Sequence, residues 1–429
     1  MRAVVRTTIA IGAVLASAGA ATITALPASA AQATQAHRTA HPSATKFAMR
    51  GWAYGTRVLG GDIPVSSAPT AYEALPCTNR AGIVRTNHLV TAKLPSLGTI
   101  SGVQTRAWTT RKAGVVSSWS RNTIGKVVLS DSPLGTLYLD AVSTTARAFH
   151  DGTRFRTSTH TDVARLRFQG PAGPAMTLPL PAPNRPVEIP GFATVTIAKS
   201  VTGTNSRGAH AAANGILVKL HATKSTVGVA RAVSFIYSGV RSGLFNGKSY
   251  GLSASAASNV LNVGPNPLLK LRCVGTRGKV QTSSLAGINL GDQVVVHAAK
   301  NEQMGNQTSR HAWGFERSKV ASVNIGDGQL RIEGIVGQAN VSRRGPKLRT
   351  FKRSTAGTST GKIYVNGKLQ QFPDTGVLQI PGVAKIQAKV VKNIRSGISV
   401  TALRVTLLDG TGAVLNLGTA ELKVRRILR

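Results

Sequence analysis

Hydrophobic and polar residues alternate one by one along much of this chain, which is the spacing of a half-buried β-strand. Ala384, Ile386, Ala388 and Val390 are interleaved with Lys385, Gln387 and Lys389. The same beat sets Leu403, Val405 and Leu407 against Arg404 and Thr406, and Ala164, Leu166 and Phe168 against Arg165 and Arg167. Forty-five glycines and nineteen prolines keep these runs short. Asn366-Gly367, directly behind Ile363-Tyr364-Val365, marks a tight hairpin because both residues tolerate the positive φ angles such a turn needs. No stretch carries a convincing amphipathic helical period. The pattern predicts an all-β protein with sandwich-like packing, and a β-solenoid of stacked short strands is the alternative.

The pattern also repeats. Tyr54-Gly55 and Cys77 recur 196 residues later as Tyr250-Gly251 and Cys273. Lys126-Val127 answers Lys319-Val320, Leu137-Tyr-Leu-Asp140 answers Leu330-Arg-Ile-Glu333, and Ile189-Pro-Gly191 answers Ile380-Pro-Gly382. Val218-Lys-Leu220 answers Val405-Thr-Leu407. Markers that keep their order and spacing imply duplication. The expectation is two tandem homologous β domains, residues 47–236 and 244–429, joined by a linker at 237–243. A polar leader, 31–46, is expected to be disordered.

Residues 1–30 read as a signal peptide. Arg2 and Arg6 precede a mostly apolar run, and Ala28-Ser29-Ala30 supplies a small-x-small cleavage signature. A membrane anchor is disfavoured because the run is rich in Ala, Gly and Thr. No later stretch has the apolar length of a membrane span, so the expectation is a secreted, extracellular protein, at most loosely associated with a cell wall.

Charge sharpens this reading. The 53 basic and 15 acidic residues give a formal charge of +38, and removal of the signal leaves 51 and 15. A hydrophobic fraction of 42% excludes a disordered chain. The first copy holds 21 basic and 7 acidic residues and the second 27 and 8, so the charge belongs to both copies. Arg343, Arg344, Lys347, Arg349, Lys352 and Arg353 form the densest cluster, in an expected loop, and are the candidate polyanion-binding residues.

Each copy resembles the choice-of-anchor P family of Gram-positive, mainly actinobacterial, extracellular proteins. The resemblance is carried by Tyr250-Gly-Leu-Ser, Ser283-Ser-Leu-Ala-Gly-Ile-Asn-Leu-Gly291, Val365-Asn-Gly367, Ile380-Pro-Gly382 and Val400-Thr-Ala-Leu-Arg-Val-Thr-Leu407. The first copy matches more loosely, through Tyr54-Gly55, Ile189-Pro-Gly191 and Gly215-Ile-Leu-Val-Lys-Leu220. The resemblance implies secretion, surface association and a β-rich fold, and it supplies no catalytic residue. Its anchors lie at the C-terminus, where this chain instead has a basic segment.

Two cysteines in an exported chain favour a disulfide. Each copy has one, so a Cys77–Cys273 bridge would have to join the copies; unpaired thiols and intermolecular pairing are the alternatives. Trp119 and Trp313 precede the matched lysines by seven and six residues. They are expected to fill the core, as are Trp52 and Trp108, rather than to stack on sugars.

Catalytic motifs fail on context. Gly357-Thr-Ser-Thr-Gly361 spells a nucleophile elbow, but no histidine follows His311 and the next residues read as a strand. Ala356–Lys362 misses a phosphate loop at its first position, and Ile363 stands where Ser or Thr should bind magnesium. Asp140 and Glu333 are equivalent carboxylates expected to balance neighbouring arginines. The reading is a non-enzymatic protein without cofactor that binds anionic cell-wall polymers by charge. Nonspecific nucleic-acid binding and a carbohydrate-binding or adhesin-like module are the alternatives, the former weakened by an aromatic content of only 5%.

Overall fold

The computed structural model describes residues 42–429 apart from 61–68, 95–97, 133, 223, 256–261, 291–293, 327, 374–375, 409, 411 and 428–429. The expected signal peptide and the leader as far as residue 41 lie outside the described residues. The first strand begins at Ser43, so the end of the stretch expected to be disordered is in fact paired.

Strands β1 to β6 are Ser43–Gly60, Glu73–Ala81, Val84–Leu94, Gly98–Lys112, Val115–Ser132 and Gly135–His150. Strands β7 to β12 are Phe155–Gln169, Met176–Leu178, Pro186–Ile189, Ala193–Asn205, Gly208–Leu220 and Ser225–Tyr237. They form two sheets, β2-β1-β12-β11-β10-β9 and β3-β4-β5-β6-β7-β8. The second half continues with β13 to β18 at Gly243–Ser255, Asn262–Lys270, Gln281–Asn289, Val294–Gln307, His311–Ile325 and Leu330–Arg344. Then come a 3-10 turn at Pro346–Leu348 and β19 to β25 at Thr350–Ser354, Lys362–Val365, Lys368–Gln370, Val377–Ile380, Ala384–Ile394, Gly397–Leu407 and Val414–Arg426. Their sheets are β14-β13-β25-β24-β23-β22 and β15-β16-β17-β18-β20-β21, with β19 also on β18. Strand for strand, the second pair of sheets repeats the order of the first. The protein is all-β, in sandwich-like layers, and its antiparallel ladders exclude the parallel coils of a solenoid.

The repeated sequence markers occupy matching places. Lys126 and Lys319 lie on β5 and β17, Asp140 and Glu333 on β6 and β18, and Ile189 and Ile380 end β9 and β22. The turn after each isoleucine places Gly191 and Gly382 at φ 70° and 69°, a left-handed conformation that favours glycine. Asn366 and Gly367 take φ 49° and 77° in the β20–β21 hairpin, as their sequence predicts. One strand differs. Continuous β7 pairs with β6 along its length, whereas its counterpart is broken into β19 and β20 by residues 355–361, the stretch that spells the elbow.

Each sandwich core is divided. In the first half, one apolar cluster includes Ile100, Leu137, Leu166 and Ile216, and a second includes Phe47, Met49, Phe155 and Ile236. The second half likewise separates a cluster around Leu252, Ile332 and Leu403 from one around Phe245, Leu271 and Leu422. Other inward positions are small or polar. Ser120, Asn122, Thr144 and Ser234 are buried in the first half, and Ser249, Asn301, Glu316 and Ser318 in the second. Ser120 Oγ donates to Val233 O at 2.8 Å, and Ser249 Oγ donates to Glu316 Oε2 at 2.9 Å. The sheets approach too closely for larger side chains: a Cβ on Gly51 would lie 2.5 Å from Ser120 Oγ, and one on Gly247 2.3 Å from Glu316 Oε1.

That closeness overturns the expectation for the tryptophans. Trp52, Trp108, Trp119 and Trp313 all stand on outward sheet faces, half-buried. Trp108 is flanked by buried Ala107 and Thr109, and Trp119 by buried Ser118 and Ser120. The two indoles lie parallel at 5.5 Å, with Arg106 over one and Arg147 over the other. Strand alternation gives the interior to the small residues and sends the indoles out.

Candidate functional site

The two halves are joined covalently: Cys77 on β2 and Cys273 in the loop after β14 form a disulfide with Cα atoms 5.4 Å apart. Around it the halves interlock. The Arg50 guanidinium of the first half donates to Leu271 O of the second at 2.7 Å while lying over the rings of Trp52 and Phe235. Lys270 sits over the same indole at 4.6 Å. Burial first, and then Arg50, Lys248 and Arg57, bring its ammonium down to about 8. The expected linker is pinned as well, because Gln307 Oε1 accepts from the backbone N–H groups of Arg241, Ser242 and Gly243.

Beside the disulfide runs a groove of about 670 Å³. The first half supplies Arg80 and Arg85, and the second supplies Arg395, Lys423, Arg425 and Arg426. Every charged residue lining it is basic. Arg425 donates to Cys77 O and is half-buried; burial first, and then Arg395 and Arg85, push its guanidinium below the usual arginine range. Arg85, Arg395 and Arg426 are exposed. Among the described residues no acidic side chain pairs with Arg80, Arg85, Arg395, Arg425 or Arg426, and only Lys423 has one, Glu421 at 2.7 Å.

The acidic residues are engaged elsewhere. Glu302 meets Arg317, Lys319 and Lys300 at 3.0, 3.2 and 3.4 Å, and Glu421 holds Lys248 as well as Lys423. Asp140 pairs with Arg167 at 3.0 Å, and Glu333 pairs with Arg331. These two carboxylates balance arginines, the role expected of them. Glu316 is fully buried, and burial pushes its carboxyl well above the usual range, opposed by the Ser249 hydrogen bond and by Arg50. Among the described residues no cluster of three or more His, Cys, Asp or Glu could hold a metal ion.

The six basic residues singled out from sequence do not form a loop. Arg343 and Arg344 end β18, Lys347 lies in the 3-10 turn, Arg349 follows it, and Lys352 and Arg353 are on β19. Arg343 is half-buried and committed to the fold. It donates to Val424 O at 2.6 Å and Ser396 Oγ at 3.2 Å, and its guanidinium lies over Phe351 at 4.4 Å. Arg344 donates to His311 Nε2, whose imidazole is held below its ordinary value by burial and then by Arg344. Lys347, Arg349, Lys352 and Arg353 remain exposed on one hairpin. The groove cluster is absent from any sequence window because its members come from four separated segments. Alternating basic residues on β25 were the available signal. In the broken elbow stretch, Ser359 exchanges backbone hydrogen bonds with Val336, and a strand follows.

No protein-family model matches the chain, and the search of curated proteins finds no similar sequence.

Proposed function

We propose that this protein is a secreted, non-enzymatic, strongly cationic envelope or matrix protein that binds anionic surface polymers by charge. The acid-free groove carries the reading. Several guanidiniums share a depression without a carboxylate, although Asp and Glu pair with cations elsewhere on the surface. Arginine forks match oxyanions, and close like charges are relieved by a bound polyanion. The Cys77–Cys273 bridge supports export, since disulfides persist in oxidising compartments. The choice-of-anchor P resemblance supports surface association and rests on the motifs alone.

The test is a pair of affinities, for purified wall teichoic acid and for duplex DNA, each at 50 and 200 mM salt. With about four phosphate contacts and a slope near 0.7 per contact, affinity for the flexible wall polymer should fall about fifty-fold across that range. A preference for DNA at both salt concentrations contradicts the envelope reading. A turnover abolished by an Asp or Glu substitution contradicts the non-enzymatic one.

A further inference from the structure

The groove and the β18–β19 hairpin are far apart in sequence but share a wall. Arg343 donates to Val424 O and Ser396 Oγ, and Arg353 donates to Gly397 O at 3.4 Å. Ser396 lines the groove, Gly397 follows it, and Val424 lies between the groove residues Lys423 and Arg425. Arg343 also feels the groove's charge: burial first, and then Arg426, push its guanidinium below the usual arginine range. Arg80 and Arg85 of the first half thus lead through Arg425, Arg426 and Arg395 to Lys352, Arg353 and Arg349 of the second.

Resting on the reading of the protein as a polyanion binder, the geometry points to a single track for one extended, base-free phosphate polymer, whose chain crosses from the first half to the second beside the Cys77–Cys273 bridge. Two features select this ligand. A strip of cations spanning both halves exceeds the reach of one small anion, so affinity grows with chain length as successive phosphates displace counterions. Three aromatic rings lie along the hairpin end of the strip, and each is already met by a neighbour: Arg343 and Arg353 lie against Phe351 at 4.4 and 5.7 Å, His311 stacks on Trp313 at 4.1 Å, and Arg317 lies over Phe315 at 5.0 Å. Nucleobases therefore find no vacant stacking platform there, whereas a polymer that offers only phosphates loses nothing.

The experiment titrates the full chain, its disulfide intact, with tripolyphosphate, with long-chain inorganic polyphosphate and with a single-stranded oligonucleotide of matched charge. Two variants accompany the wild type: Arg85→Gln with Arg395→Gln in the groove, and Arg349→Gln with Lys352→Gln on the hairpin. All four side chains are exposed and have no ion-pair partner among the described residues, so both variants should fold. Long polyphosphate is expected to bind at least tenfold more tightly than tripolyphosphate. The groove pair should weaken both ligands about tenfold and reduce the salt slope by about 1.4 for the long chain. The hairpin pair should weaken only the long chain. Equal weakening of both ligands by the hairpin pair would show two independent patches and overturn the single track. Unchanged binding in the groove pair, or tighter binding of the oligonucleotide than of long polyphosphate, would also overturn it. If the wild type binds no polyanion, the proposed function itself fails.

Discussion

Removing the bridge by Cys77→Ser together with Cys273→Ser tests how the two halves hold each other. The cysteines are 196 residues apart, so the bridge closes a long loop in the unfolded chain. In a chain-entropy account that closure is worth about 5 kcal/mol at 25 °C. Unfolding about 390 residues releases roughly 0.8 kcal/mol per kelvin, so the same energy corresponds to a Tm lowered by about 6 °C. Differential scanning calorimetry of wild type, wild type under reductant and the double variant reads the shift. Thiol titration of denatured, unreduced wild type should find no free sulfhydryl. The reduced protein and the double variant should melt together, near that lower temperature. A double variant melting within a degree of wild type would refute the loop-closure reasoning, and two titratable thiols would refute the bridge itself.

Three further outcomes follow from the sandwich cores and the junction. Gly247→Ala places a methyl 2.3 Å from Glu316 Oε1 and should destabilise the fold by about 1–3 kcal/mol in chemical denaturation, whereas the same change at Gly170, where the nearest atom would be 4.0 Å away, should not produce that clash. Glu316 holds its proton more tightly folded than unfolded, so its contribution to stability is fully present below pH 4.5 and is lost as pH rises through the folded value; Glu316→Gln should flatten this fall, so that stability drops less between pH 4.5 and pH 8 than in wild type. Lys270 has the opposite sign: its folded value of about 8 lies below the ordinary lysine value of 10.5, so its contribution grows from pH 8 to 10.5, and Lys270→Met should remove that increment from the difference between wild-type and variant denaturation curves.

Much of the architecture is legible in the sequence because strand burial obeys a period of two. Ala384, Ile386, Leu403 and Val405 face inward as their alternation requires, and the repeat markers land on corresponding strands. The tryptophans were misread for a reason the sequence conceals. Where sheets close to the contact distance set by Gly51 and Gly247, inward positions take Ser, Ala, Gly or a polar side chain set against a glycine, as Glu316 is against Gly247, and the indoles go outward. Single-sequence hydrophobicity assigns an indole to the interior without knowing the gap available. The basic hairpin was visible as a charge run, although its strand character and the structural role of Arg343 were not. The groove was invisible because Arg80, Arg395 and Arg425 meet only through sheet pairing and the inter-half bridge.

The central claim is retention at the envelope by charge. Cosedimentation with purified cell walls, with and without teichoic acid, across a salt series tests it most directly. The account predicts wild-type binding that disappears when the polymer is stripped or the salt is raised, and that is already weakened by Arg85→Gln with Arg395→Gln. Binding indifferent to both polymer and salt, or no binding at any salt concentration, would contradict it.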